Sequence, residues 1–210
     1  MPTYRLTYFD GPGRAEPLRI ALTLAKVAFE DRRLSFPAFA AMKAQGELPL
    51  GSVPVLEIDG VPYVQTGALL RYAAKLGTDG LYPSDPTQAL VVDSVIDTLN
   101  DTVASALTPS LFERDPEKRL AMRRAFVEGV LGRALRYLEG LCTQSEGPFL
   151  LGSQLSLGDL LLGLTVQQYQ SGALDGIGPE VLAPFPRLRA LGDAFAAHPA
   201  IVAYRAQRAG

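Results

Sequence analysis

Along the first eighty residues the spacing of apolar positions changes several times. Residues 4–8 alternate around Leu6, the period of a half-buried strand, and stop at the turn cluster Asp10-Gly11-Pro12-Gly13. Leu18, Ala21, Leu22 and Ala25 then recur three and four residues apart and predict a helix. Residues 29–34 predict a second strand whose charges suit a sheet edge. Two apolar runs, 53–58 and 61–64, flank Asp59-Gly60, the strongest short-range hairpin signal in the chain. Residues 66–76 return to a helical period, with Leu69, Leu70, Ala73 and Leu76 on the apolar side. The predicted order is strand, helix, strand, irregular segment or short helix, strand, strand, helix.

The stretch after Gly77 is rich in turn formers and predicts a linker over 79–86 between a domain at 1–78 and another at 87–210. Beyond it the pattern offers no strand. Residues 87–113, 115–141, 156–171 and 187–197 carry helical periodicity, broken by Pro109, Pro116, Gly147-Pro148, Pro184 and Pro186. The fold class is therefore a small α/β unit followed by an all-helical unit.

Composition narrows the chemistry. The 210 residues are 48% hydrophobic and 20% charged, enough for a substantial core and unlike a disordered or coiled-coil chain. A net charge of -2 argues against nucleic acid and against an anionic membrane surface as partners. One cysteine, Cys142, cannot build a cysteine-based zinc site, and one histidine, His198, gives a His-rich metal centre or a Ser-His-Asp triad little to work with. The segment 1–10 lacks an apolar run of signal-peptide length, and a reducing, cytoplasmic setting is expected. Catalysis would fall to Tyr, Arg, Lys, carboxylates, hydroxyls or a bound small molecule.

Gly11-Pro12-Gly13 stands between strand and helix, where a dinucleotide loop would stand. The third glycine of that fingerprint falls on Glu16, a negative charge where a pyrophosphate would dock, and Pro12 removes a backbone donor. A tight turn feeding a helix fits better. Pro54 opens an otherwise good strand, and proline belongs at a strand start or edge. Either it is an ordinary trans proline there, or a cis Val53–Pro54 bond leaves the Val53 backbone facing outward to pair with an extended peptide.

Taken together, the stretches TYFDGPGRAEPLR, GSVPVLEIDG, VQTGALLRYAAKL and GSQLSLGDLLL resemble the cytosolic glutathione transferases, in particular the tyrosine-type group. The resemblance runs from Thr3 to Tyr204 and implies a thioredoxin-like N-terminal domain followed by a helical one. It implies glutathione as co-substrate, no metal, small hydrophobic electrophiles as second substrates, and a homodimer. Tyr8 would donate its phenol hydrogen to the glutathione sulfur and favour the thiolate. The dull alternative is a half-buried aromatic, as expected for Tyr4 in the same strand. Arg14 would orient the Tyr8 region electrostatically. Lys43 would meet the glycine carboxylate, Val53 (followed by Pro54) would pair with the cysteinyl unit, and Gln65 and Thr66 would hold the γ-glutamyl end, Thr66 also capping its helix. Asp101 matches an acid that reaches the partner subunit's γ-glutamyl amine, with Asp97 and Asp93 as neighbouring alternatives. Phe9, Gly11, Pro12, Leu111, Phe112 and Tyr204 would line the hydrophobic pocket, and Leu50 sits where relatives place an aromatic key of the dimer.

This chain also departs from the family pattern. It has no tryptophan, Phe39 standing where the family commonly has one; Ser52 replaces a usual glutamine, and Thr66 replaces a usual serine. Gly152 to Asp159 resembles the family's helix-capping motif, with Ser156 and Asp159 at capping-box spacing and Leu155 and Leu160 as a staple. The leading expectation is a conjugating enzyme. A glutathione-dependent isomerase or peroxidase, or a carrier or structural protein without turnover, remain as alternatives.

Overall fold

The computed structural model describes residues 2–77 and 80–209. Thr78 and Asp79, on which the expected boundary falls, lie outside the described residues, as do Met1 and Gly210. The chain divides into two compact units, Met1–Leu81 and Tyr82–Gly210.

The first unit holds strands β1 (Tyr4–Phe9), β2 (Glu30–Leu34), β3 (Val55–Ile58) and β4 (Val61–Tyr63), with helices α1 (Glu16–Leu24), α2 (Phe36–Ala44) and α3 (Thr66–Leu76). The sheet order is β2-β1-β3-β4, so the charged strand β2 stands at an edge, as its sequence predicts. β1 runs parallel to β2, with Leu6 opposite Asp31 and Tyr8 opposite Arg33, and antiparallel to β3, with Leu6 opposite Leu56. Asp59 and Gly60 both have positive φ, 51° and 81°, as a two-residue hairpin turn requires. Helices α1 and α3 pack on one another, and Leu6, Leu18, Leu22, Leu56 and Leu70 are buried completely. A smaller cluster of Leu34, Met42, Leu48 and Val55, with Phe39, Val53 and Val64 against it, seats α2. Of the two alternatives for this segment the short helix is the one observed, nine residues long. Ser35 caps it, accepting from the Ala38 amide at 3.2 Å.

The second unit is helical throughout: α4 (Pro86–Asp97), α5 (Ser105–Phe112), α6 (Pro116–Phe126), α7 (Gly132–Thr143), α8 (Leu157–Gln170), α9 (Pro186–Ala197) and α10 (Pro199–Ala209). α8 packs against α4 and α9, and its apolar residues form the centre of the unit. Two expectations fail here. Pro109 lies inside α5 instead of ending a helix, and the chain winds on from Pro86 to Phe112 through π turns at Thr98–Ala104. A single proline removes one ladder bond, which the wider turns upstream accommodate. The periodicity also gives no helix after 197, whereas α10 begins on Pro199 at its first turn and buries Ile201 completely. Among the described residues no helix is long and apolar enough to cross a membrane.

Candidate functional site

The loop joining β1 to α1 begins just past the candidate Tyr8 and holds the candidate Arg14. β1 runs one residue past Tyr8, and Arg14 sits in a 3-10 turn, Gly13–Ala15, ahead of α1 rather than opening that helix itself. The hydroxyl oxygen of Tyr8 accepts a hydrogen bond from the Arg14 backbone N–H at 3.0 Å. The Arg14 backbone thus touches Tyr8 directly, a contact that no side-chain pattern signals. Gly13 explains why the turn cluster ends in glycine. Its φ is +41°, and a Cβ there would lie 2.5 Å from the Tyr8 hydroxyl. Tyr4, in the same strand, shares its hydroxyl with that of Tyr72 at 3.2 Å. That bond, ahead of burial, pushes Tyr72 up to about 12.

Sequence reasoning missed Arg19. Its position among Leu18, Ile20 and Ala21 gives no hint of a polar role, yet it is only 2% exposed. The guanidinium donates to the carbonyls of Gly11 at 2.7 Å, Pro12 at 3.4 Å and Phe9 at 3.4 Å. Its Nε reaches both oxygens of Asp31 at 3.0 and 3.1 Å. Arg33 bridges Asp31 at 2.9 Å to Asp10 at 2.7 Å. The glycine-containing loop turns three carbonyls toward a buried cation, an arrangement that differs from the amide cradle of a phosphate loop.

The other glutathione candidates of this unit lie on α2, before β3 and at the start of α3. The Val53–Pro54 bond is cis. The Val53 side chain packs into the α2 cluster, while its backbone N–H and C=O have no backbone partner among the described residues. Exposed Lys43 on α2 passes over the neighbouring turn, its Cε 3.3 Å from where a Cβ on Gly51 would stand. Ser52 is exposed in that turn. Gln65 is the N-cap of α3 and Thr66 its first residue, so the capping position expected for Thr66 belongs to Gln65. Thr66 comes after the bend rather than making it, because Gln65 takes the bend at φ +75°, a conformation rare outside glycine. The Gln65 side chain makes no capping bond, which leaves the first amides of α3 without a side-chain cap.

Beside Tyr8 opens an apolar cavity of about 520 Å³, lined by Tyr8, Phe9, Gly11, Pro12, Leu34 and Phe36, among others. The expected pocket residues Phe9, Gly11 and Pro12 meet there. Phe36, 74% exposed and 4.9 Å from the Phe9 ring, was not anticipated. Its sequence neighbours, Ser35 and Pro37, mark a helix start but not a pocket, so nothing local could have found it. Phe39 packs 5.0 Å from Phe9 on another side, and so serves the aromatic cluster.

In the helical unit Asp101 is exposed within the π turns, and Asp93 accepts from the Tyr82 hydroxyl at 2.9 Å. Asp97 is exposed at the end of α4. Leu111 and Phe112 are exposed at the end of α5, while Tyr204 is buried on α10. The Cys142 thiol is pushed up to about 12 by burial and is unreactive for that reason. His198 is the C-cap of α9. The capping box forms as its spacing predicts: Ser156 accepts from the Asp159 amide at 3.3 Å, and Asp159 accepts from the Ser156 amide at 2.8 Å.

Comparison with known proteins agrees with this architecture. Residues 4–75 match the model of the glutathione S-transferase N-terminal domain, and residues 100–208 that of the C-terminal domain. A hematopoietic prostaglandin D synthase of Gallus gallus is 30% identical, the match covering 99% of this chain and 98% of that protein. An S-crystallin of Nototodarus sloanii is 31% identical over the same shares of the two chains. The crystal structure of a nematode glutathione S-transferase from C. elegans superposes with a TM-score of 0.83 at 25% identity, covering 99% of this chain and 98% of that one. The chain belongs to the glutathione S-transferase family.

Proposed function

We propose that this chain binds glutathione on its first unit, stabilises it as a thiolate through Tyr8, and conjugates the sulfur to hydrophobic electrophiles. The observation that carries the reading is the state of the Tyr8 hydroxyl. Its oxygen already accepts from the Arg14 amide, so its own proton is available to a sulfur at the edge of the apolar cavity. At neutral pH a free thiol of pKa about 8.5 is only about 3% ionised. Lowering that value by about two units makes the thiolate the major form and needs about 2.7 kcal/mol of differential stabilisation. One donor aimed into a partly dry pocket supplies much of that.

The thiol proton leaves to solvent. The sulfur lone pair then forms a carbon–sulfur bond, expelling halide from an aryl halide or adding to an enone whose carbon takes a proton from water. Lys43 would hold the glycine carboxylate, the Val53 backbone the cysteinyl unit, and Gln65 with the first amides of α3 the γ-glutamyl carboxylate. Asp101 would serve a second copy's glutathione. Exposed Leu50, Val61 and Tyr63 in the first unit support a homodimer. A cytoplasmic setting suits the single unpaired thiol.

Steady-state conjugation of glutathione to an aryl halide tests the reading. Tyr8→Phe should lower kcat/KM about 100-fold with KM for glutathione within about twofold. Wild type that turns over only isomerisable or peroxide substrates would move the chain toward its synthase relatives. Saturable glutathione binding without any turnover would move it toward the crystallin.

A further inference from the structure

We propose that Arg19 is a positioning residue for Tyr8, acting through the loop it holds. This inference rests on the reading of Tyr8 as thiolate donor. Arg19 touches no part of the open cavity: it is buried behind the loop, and its Cζ stands 5.9 Å from the centre of the Tyr8 ring. Its guanidinium gathers the carbonyls of Phe9, Gly11 and Pro12, three residues of the segment between Tyr8 and Arg14. A short loop tied to one rigid fork has little freedom left, and the residues after it are placed accordingly. Gly13 is set in its left-handed conformation against the Tyr8 ring, and the Arg14 amide meets the phenol oxygen.

The fork is itself anchored. Asp31 on the neighbouring parallel strand accepts from Nε, and Arg33 holds Asp31 from the other side and reaches on to Asp10. Loop and strand edge are thereby tied on both sides of Tyr8. A cation that merely neutralised Asp31 would need none of the three loop carbonyls. The planar donor set uses them all, which lysine, with a point charge, cannot reproduce.

Two measurements test the proposal, one of them independent of catalysis. In ligand-free protein labelled at tyrosine ¹³Cζ, with the Tyr8 resonance assigned through Tyr8→Phe, Arg19→Met should move that resonance more than any other tyrosine's. With glutathione bound, Arg19→Met should raise the thiol pKa by about one unit, a roughly threefold loss of thiolate at neutral pH from a wild-type value about two units below the free one. In a Tyr8→Phe background the same substitution should add nothing, since the effect runs through the phenol. Arg19→Lys should keep the fold and restore only part of the thiol shift. Should Arg19→Met not fold, Asp31→Asn loosens the same fork from a partly exposed side and should displace the resonance in the same direction.

An unmoved Tyr8 resonance in a folded variant would overturn the proposal. So would an equal thiol shift with and without Tyr8, which would mean that the charge acts at a distance. If wild-type protein binds glutathione with the thiol at its free value, the proposed function falls. The resonance then decides the claim about Arg19 by itself.

Discussion

Arg19 in the first unit and Asp159 in the second are both buried charges, 2% and 0% exposed, and each gathers a turn around itself. They differ in what they leave open. Asp159 accepts from the Leu150 amide at 2.8 Å, from the Ser156 amide at 2.8 Å and from the Ser156 hydroxyl at 2.5 Å. All of these groups are buried, so the box closes on itself and serves folding. Arg19 draws carbonyls inward from one side of a loop whose other side lines an open cavity holding the Tyr8 hydroxyl. A buried charge whose partners all close locally is a folding device. One that stiffens the wall of a pocket bears on chemistry.

The largest expected loss of stability comes from breaking the closed region. Asp159→Ala leaves the Leu150 and Ser156 amides buried without acceptors and should cost about 3–4 kcal/mol. Thermal unfolding should show a midpoint lowered by about 10 °C, with the bound thiol pKa unchanged. The same carboxyl gives a pH signature. Burial pushes Asp159 up to about 6 from its ordinary 3.8, against the hydrogen bonds from Ser156 and Leu150 that lower it. The folded state therefore retains the proton over that interval. The group's contribution is full below about pH 4 and is lost as pH rises through about 6. Denaturant midpoints across this window should fall for wild type relative to Asp159→Asn.

A smaller stability effect, with a larger functional one, is expected at Gly13. Gly13→Ala brings both an unfavourable φ and a methyl 2.5 Å from the Tyr8 hydroxyl. It should cost about 1–2 kcal/mol of stability. Displacing the phenol should also lower kcat/KM by about tenfold or more, measured at a pH below the free thiol's value. Smallest in stability is Phe36→Ala, within about 0.5 kcal/mol because the ring is 74% exposed. Its effect should appear as a KM several-fold higher for a planar aryl halide, with little change for a small aliphatic electrophile.

Local chemistry made much of this legible. Asp59-Gly60 names its turn because both positions need positive φ, and Ser156 with Asp159 names a helix start because capping depends on four adjacent residues. Tyr8, Val53 and Lys43 became candidates through the resemblance of the chain to a family rather than through any local pattern. Arg19 was hidden for a physical reason. Glu16, three residues back at 3.5 Å, is the one partner the helical period could suggest; the others are carbonyls, which every residue carries, and Asp31, which only the parallel pairing of β1 with β2 brings near. The amide of Arg14 was hidden likewise. The sequence leaves α2 open between an irregular segment and a short helix because its alanine-rich run has no sharp apolar face, and the small cluster around Met42 defines it instead. Pro109 misled because the cost of an internal proline depends on whether the turns around it can widen.

The most direct test of the central claim is a pH titration of bound glutathione by ultraviolet thiolate absorbance, comparing wild type with Tyr8→Phe. A bound thiol pKa about two units below the free value is expected in wild type, returning upward in the variant. A lowered value that survives loss of the hydroxyl would place the donor elsewhere, and no thiolate at saturating glutathione would contradict the catalytic reading outright.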